Sequence, residues 1–381
     1  MKIGIDARNL VPNLSGIGRY VWEMSRALKD RGHSVILYMP EPPRYQMPYL
    51  EGVKIKTGKS YGAIRRVFWG AAELSKEIRL DSLDIFWGPA HRLPRGVDNV
   101  TPCVVTIHDL VWRRAKETMR WQTWLGERLF MGPAIRRSDT IVAVSEATLK
   151  DIAFYYPDAA PRIHAVYPGV THLGVVGDVK SRAANWGMDR PYALFVGTLE
   201  PRKNLNRLLE AYSLLDKKTR DKLFLVLVGG RGWGMSEIPH LLKKYKVEDT
   251  VKKLGYVSDE TLFFLYKNAK FLVMPSIYEG FGLPIIEAQS LGTPVITSNV
   301  SSMPEVAGDG AVLVDPMDVN EIAFAMRKLA NDEEFRQNLG QKAQRNSMQF
   351  SWSAAAVKLE SIFEATIEAK RKCSDTKGDW M

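Results

Sequence analysis

The chain has 381 residues, with 53 Lys and Arg against 43 Asp and Glu for a net charge of +10, and is 45% hydrophobic and 10% aromatic. That length predicts two domains with full-sized cores, and the composition excludes a disordered or collagen-like chain. Two cysteines far apart in sequence, Cys103 and Cys373, argue against a disulfide framework and a Cys-based zinc site and fit a reducing, cytoplasmic compartment.

The opening MKIGIDARNL brings an acid and an arginine by position eight, so no signal peptide is expected. No uninterrupted apolar stretch reaches the ~18 residues that could cross a bilayer. The basic balance favours anionic company: nucleic acid, acidic lipid or phosphorylated substrates.

Short β-rich runs at 2–6, 33–38, 83–87, 103–107 and 140–144 alternate with helical spacing, as over 18–31 with Val21, Met24, Ala27 and Leu28. This alternation predicts a parallel sheet covered by helices, with ligands at the carboxyl ends of its strands. After the first strand comes a glycine-bearing segment, 13–20, that carries Gly16 and Gly18 and leads into a helix. Such glycines let backbone N–H groups approach an anion, and the helix start adds partial positive charge. The third glycine of a dinucleotide fingerprint is replaced by Val21, and a plain βα turn fits the segment equally well.

His108 follows the strand 103–107, where an imidazole can hydrogen-bond a sugar hydroxyl or phosphate; a structural histidine is the alternative. His33, His91, His164, His172 and His240 show no metal-ligand spacing, and no metal site is expected. Over 113–137, seven Lys and Arg stand against Glu117 and Glu127, interleaved with Trp121, Trp124, Leu125 and Leu129 at helical spacing. Such a helix could rest on an anionic membrane surface, or bury its apolar face in ordinary core with its charges solvated.

Strand-like signal gives way to Gly, Asp and Lys from about 170 to 190, the expected linker. A second series opens with a strand at 192–196 and the run Gly-Thr-Leu-Glu-Pro-Arg-Lys-Asn at 197–204. Arg202 and Lys203, adjacent at a helix start, suit a diphosphate, each neutralising charge on a leaving group, with a solvated basic turn as the alternative. Runs at 224–230, 251–257, 271–275 and 294–297 predict a second parallel sheet, and two such halves leave a cleft between them.

The segment 278–288, Tyr-Glu-Gly-Phe-Gly-Leu-Pro-Ile-Ile-Glu-Ala, puts Pro284 where a first helical turn accepts it. The N–H groups of Phe281, Gly282 and Leu283 can then point at an anion or hydroxyls, and Glu279 and Glu287 are spaced to grip polyols. No Asp-x-Asp occurs, which removes the usual site for a metal bridging a diphosphate.

The Glu-x7-Glu pattern of Glu279 and Glu287, the run 197–204, His108 after its strand and the first glycine loop together resemble the retaining GT-B glycosyltransferases of family 4, in order from residue 1 to about 350. The resemblance implies an α/β fold of two Rossmann-like parallel-sheet domains facing across a deep cleft. Residues 1–170 would bind acceptor and 185–350 the nucleotide sugar, with a C-terminal helix over 351–381 crossing back to the first domain. Glu279 would hold donor-sugar hydroxyls near the anomeric carbon, and Glu287 the ribose. Arg202 and Lys203 would stabilise the departing diphosphate, helped by backbone at Gly16 and the amides of Phe281, Gly282 and Leu283. His108 would contact the donor sugar and support developing charge, and backbone near Tyr256 and Val257 would cradle the base. Thr198 stands where many relatives have arginine, so one phosphate-binding cation is missing or supplied by Arg202.

The implied function is metal-independent, cofactor-free hexosyl transfer from a nucleotide-sugar donor to a lipid-linked or saccharide acceptor, with retention inherited from the family. The segments around 198 and 279 resemble bacterial mannosyltransferases of lipopolysaccharide and O-antigen assembly, which points to GDP-mannose. The alternatives are a UDP- or dTDP-linked glucose, N-acetylglucosamine or rhamnose donor, or a nucleotide-sugar-binding protein without transfer activity. The expected location is cytoplasmic or peripheral on the inner membrane face. Nucleic acid is not an expected partner, because no RNA or DNA motif occurs.

Overall fold

The computed structural model describes residues 1–10, 16–42, 53–59, 62, 69–98, 101–171, 190–230, 232 and 238–378. The chain divides into two compact units: unit 1 is Met1–Leu110, Gln122–Gly169 and Ser351–Met381, and unit 2 is Val111–Trp121 and Val170–Phe350. Apart from Val170, Thr171 and Arg190, the expected linker lies outside the described residues.

Unit 1 is built on β1 (Lys2–Asp6), β2 (Ser34–Met39), β3 (Lys54–Thr57), β4 (Ile85–Gly88), β5 (Cys103–Ile107), β6 (Thr140–Ala143) and β7 (Ile163–Ala165), in the order β3-β2-β1-β4-β5-β6-β7. Every pair is parallel. β4, β5 and β6 are buried along their whole length, which is why they read as largely apolar runs, with Thr106 and Thr140 the buried polar exceptions. The order reverses between β1 and β4, so the segments leaving those two strands diverge and open a crevice at their carboxyl ends. The helix Trp352–Gly378 packs on this unit. Phe363 meets Trp87 with ring centroids 6.1 Å apart, Thr366 and Thr140 share a hydroxyl hydrogen bond of 2.8 Å, and Lys370 pairs with Asp139 at 2.6 Å.

Unit 2 contains β8 (Tyr192–Val196), β9 (Phe224–Val228), β10 (Val251–Gly255), β11 (Phe271–Met274), β12 (Val295–Ser298) and β13 (Ala311–Val314), all parallel, in the order β10-β9-β8-β11-β12-β13. Here the reversal falls between β8 and β11. Helices Leu205–Ser213 and Val319–Asn331 bury Leu208, Tyr212, Met326 and Leu329 against Leu225 and Phe271 of the sheet. The spacing of these residues by three and four puts them on one face of each helix.

β3, β7 and β13 go beyond the strands that the sequence predicts. All three are sheet edges of three or four residues, and β3 alternates Lys54 and Lys56 with Ile55 and Thr57. An edge strand pairs on one side only, and charged or half-exposed side chains suit it, so the apolar signal of β3 and β7 is weak, whereas β13, Ala-Val-Leu-Val, is apolar but only four residues long.

The continuous helix expected over 113–137 does not form. A helix at Val111–Arg114 and a 3-10 turn at Lys116–Thr118 come first, Met119 turns to extended backbone, and a separate helix runs Trp121–Arg137. The physical cause is divided packing: Val111 and Ala115 cluster with Tyr278 in unit 2, whereas Met131, Ala134 and Ile135 are buried in unit 1. Among the described residues, no helix is long and apolar enough to cross a membrane.

At the carboxyl ends of β8 and β9 the backbone itself is the constraint. Gly229 has φ +150°, and a Cβ there would lie 1.9 Å from the carbonyl oxygen of Gly197, at the root of the loop that carries Arg202 and Lys203. Gly229→Ala should lower stability by about 2 kcal/mol or more, seen as a lower urea midpoint with an unchanged m-value. Gly230→Ala, where a Cβ meets nothing within 4 Å, should leave the midpoint nearly unmoved.

Candidate functional site

The loops leaving β8 and β11, the strands flanking the reversal in unit 2, are laced together. A 3-10 turn over Pro201–Lys203 ends at Asn204, held in the left-handed region at φ +61°, which asparagine tolerates better than most residues. The Asn204 Nδ2 donates to the carbonyls of Pro275 at 2.9 Å and Pro316 at 2.7 Å, and the Ile277 N–H donates to the Arg202 carbonyl at 2.9 Å.

Glu279 sits at that seam. Its Oε1 accepts from Lys203 Nζ and its Oε2 from Arg202 Nη1, both at 2.6 Å. Arg202 also donates to Glu200 at 2.6 Å and to the Tyr278 carbonyl at 3.0 Å. Glu279 and Lys203 are only 5% and 7% exposed, so neither charge could persist there alone. Burial by itself would raise the Glu279 pKa; Arg202 and Lys203 outweigh it and bring it to about 2, leaving the carboxylate ionised. The ammonium of Lys203 has three N–H groups and spends one on Glu279, which leaves two for a ligand among the described residues.

The glycine loop is equally determined. The Ser302 hydroxyl lies 2.9 Å from the Glu279 carbonyl and 3.0 Å from that of Phe281, and Phe281 packs edge-on against Phe350 at 5.7 Å. Gly282, at φ +99°, opens the helix Leu283–Ser290 with Pro284 in its first turn. One turn on, buried Glu287 accepts a 2.8 Å hydrogen bond from the hydroxyl of buried Tyr266. Thr198 is exposed in the loop after β8. Tyr256, 55% exposed, and half-buried Val257 follow the end of β10.

In unit 1, Gly16 and Gly18 lie in the first turn of the helix Gly16–Asp30, and the preceding loop residues 13–15 lie outside the described residues. His108 leaves β5; its Nε2 donates to the Pro89 carbonyl at 2.7 Å, and Tyr20 stands edge-on at 4.8 Å. Burial pushes its pKa down to about 3, so near neutral pH the ring is a hydrogen-bonding group, not a cation that could stabilise charge.

Two residues that support His108 in series escape sequence reasoning. The His108 backbone N–H donates to His91 Nε2 at 2.9 Å, which puts the His91 proton on Nδ1, 3.2 Å from Glu127 Oε2. His91 is buried and held at φ +61°, three residues past β4 at the reversal in unit 1. Its position after a strand at the sheet's turning point was the available signal; Glu127 gave none, reading as one more surface charge. Among the described residues, no three His, Cys, Asp or Glu side chains converge as a metal site.

Comparison with known proteins agrees with this architecture. The family profile "Glycosyltransferase Family 4" matches residues 14–172, and "Glycosyl transferases group 1" matches 178–346. The chain is 45% identical to the O-antigen chain mannosyltransferase B of Escherichia coli over 161 residues, 42% of each chain. It is 25% identical to the MMP alpha-(1->4)-mannosyltransferase of Mycolicibacterium hassiacum over 98% of this chain and 100% of that one. The Escherichia coli relatives are thus matched over less than half of their own length. Among solved structures, sucrose-phosphate synthase from Thermosynechococcus elongatus superposes with a TM-score of 0.79 at 20% identity, over 97% of this chain and all of that one.

Because the Glu279 pKa lies well below the usual 4.5, the stability it contributes is present above pH 4.5 and lost as pH falls toward 2. Glu279→Gln leaves buried Lys203 without its carboxylate and Arg202 with Glu200 alone, so it should be less stable than wild type above pH 5. Its urea midpoint should also fall less than the wild-type midpoint between pH 5 and 2.5; parallel pH profiles would contradict the ion-pair account.

Proposed function

Because the chain belongs to glycosyltransferase family 4, we propose that it transfers mannose from GDP-mannose to a lipid-linked or saccharide acceptor in surface-polysaccharide assembly, with retention and without a metal. The observation that carries this reading is the clasp of Glu279 by Arg202 and Lys203 at the reversal of the unit 2 sheet. The mannosyltransferase names of the relatives support the choice of sugar.

Glycosyl transfer passes through an oxocarbenium-like state as a nucleoside diphosphate departs, so the site must stabilise negative charge beside a positive ring. Arg202 and Lys203 are fixed before the donor arrives, and the remaining N–H groups of Lys203 meet the leaving phosphate oxygens. The amides of Phe281, Gly282 and Leu283, at a helix start, add further donors. With Thr198 in place of an arginine, these two cations carry the charge. An ionised carboxylate has about four acceptor positions, and Glu279 spends two on its cations, so two serve sugar hydroxyls. Neutral His108 accepts from a sugar hydroxyl at Nδ1, Glu287 takes the ribose, and the backbone at Tyr256 and Val257 takes the base. Trp121, Leu125 and Leu129, exposed on one helix beside Arg128, support contact of that helix with an anionic membrane surface.

In a thermal-shift panel of GDP-, UDP-, ADP- and dTDP-sugars, GDP-mannose should raise the midpoint most. Lys203→Ala should lower turnover at least tenfold, about 1.4 kcal/mol of transition-state stabilisation, with the far-UV spectrum unchanged. Activity should persist in excess EDTA. Wild-type turnover in the folded variant, or strict dependence on Mn²⁺ or Mg²⁺, would refute the role given to the cations.

A further inference from the structure

In unit 1, a cavity of about 60 Å3 is walled by Arg8, Arg92, Arg95 and Arg137 together with Leu129 and Phe130. It lies where the segments leaving β1 and β4 diverge: Arg8 is two residues beyond β1 and Arg92 four beyond β4. No carboxylate is among its described wall residues.

The nearby acids are already committed. Asp6 accepts from Arg8 Nε at 2.9 Å and Nη2 at 2.6 Å, Asp98 pairs with Arg137 at 3.2 Å, and Glu127 holds His91. Arg137 also donates to the carbonyls of Leu93 and Pro94, at 2.9 Å each, so it serves the loop. Arg92 stacks over Phe130 at 4.8 Å, and neither it nor Arg95 has a hydrogen-bonded acceptor for its guanidinium among the described residues. Burial, with Arg8 adding to it against the opposing pull of Glu127, lowers the Arg92 pKa, the mark of a cation short of counter-charge. Gly70 makes the room for Arg8, since a Cβ there would meet its Nη1 at 2.5 Å.

The half-buried Arg92 guanidinium is costly to leave without an acceptor, Arg95 is exposed beside it, and the planar fork of each matches the oxygens of a phosphate. At roughly 10–15 Å3 for each water, the cavity has room for several waters or one tetrahedral oxyanion. We propose that this arginine cavity binds a phosphoryl group on the acceptor side of the reaction, with Arg92 and Arg95 as its principal ligands and Arg8 Nη1 as a third donor. The assignment to the acceptor rests on the transfer reading above; the binding itself does not. Exposed Leu129 in the cavity wall, with exposed Leu125 one turn before it on the same helix, suits a phosphoryl group carried next to an apolar chain as well as a soluble glycosyl phosphate.

Isothermal titration of the full chain with inorganic phosphate tests the binding. The double variant Arg92→Gln, Arg95→Gln should weaken it at least tenfold, and Arg95→Gln alone, at an exposed position that cannot compromise the core, at least threefold. Lys203→Ala should retain it. Flotation with vesicles containing phosphatidic acid separates the sources: vesicle binding lost in the double variant identifies a lipid headgroup, and vesicle binding kept while phosphate binding is lost identifies a soluble phosphate ester. Phosphate binding unchanged in the double variant, or abolished by Lys203→Ala, overturns the proposal. Failure of GDP-mannose to stabilise the wild-type protein would instead sink the transfer reading and leave the phosphate comparison standing.

Discussion

A single buried carboxylate clasped by a buried lysine and a half-buried arginine fixes the geometry of unit 2. Glu279 is joined to Arg202 and Lys203 across a sequence separation of 76 or more residues, so the turn after β8 and the turn after β11 must arrive at one place in one orientation. Breaking the clasp would leave a charge desolvated without a partner, which is far more costly than the pair is favourable. Other choices in the sequence follow from this demand. Asn204 accepts a left-handed backbone to tie the two turns, Ser302 fixes the carbonyls on either side of Gly280, and Gly197 and Gly229 let their backbones pass in contact.

Unit 1 uses the same sheet logic with different chemistry. His91 supports the turn that carries His108, and its tautomer is set at both nitrogens, by an N–H it accepts and a carboxylate it donates to. A histidine held this way is fixed in orientation, and the neutral His108 ring beside it keeps its own proton on Nε2 by donating to Pro89. The arrangement orients hydrogen-bonding groups without introducing a mobile charge.

Much of this was legible in the sequence because it depends on local pattern. Strands buried on both faces are rich in apolar residues, so β5, β8 and β11 declare themselves, and Arg202, Lys203 and Glu279 stand in turns, and Glu287 in the helix that follows, which glycines and a proline mark. What could not be read depends on contacts between distant residues. Glu127 reaches His91 across 36 positions, and Tyr266 reaches Glu287 across 21, and neither partner differs locally from an ordinary surface glutamate or core tyrosine. The segment 113–137 misleads for a related reason: helical spacing continues through it, but its apolar residues pack into two different cores, and no periodicity records that division.

The two arginine-bearing clusters differ in one respect that decides what each can do. In unit 2 the cations are neutralised in advance by Glu279 and Glu200, so they stand in fixed positions in the free protein at little electrostatic cost. Groups organised in this way need not reorganise when charge develops on a departing phosphate, which is the condition for electrostatic catalysis. In unit 1 the nearby carboxylates pair with Arg8, His91 and Arg137, and among the described residues Arg92 and Arg95 have no hydrogen-bonded acceptor. A pre-neutralised pair suits charge that appears only during a reaction, whereas unspent guanidinium groups suit charge that a ligand already carries when it binds. On the proposed reading, the same residue type, placed after the same kind of parallel strand, serves transition-state stabilisation or ground-state recognition according to where the neighbouring carboxylates have been spent.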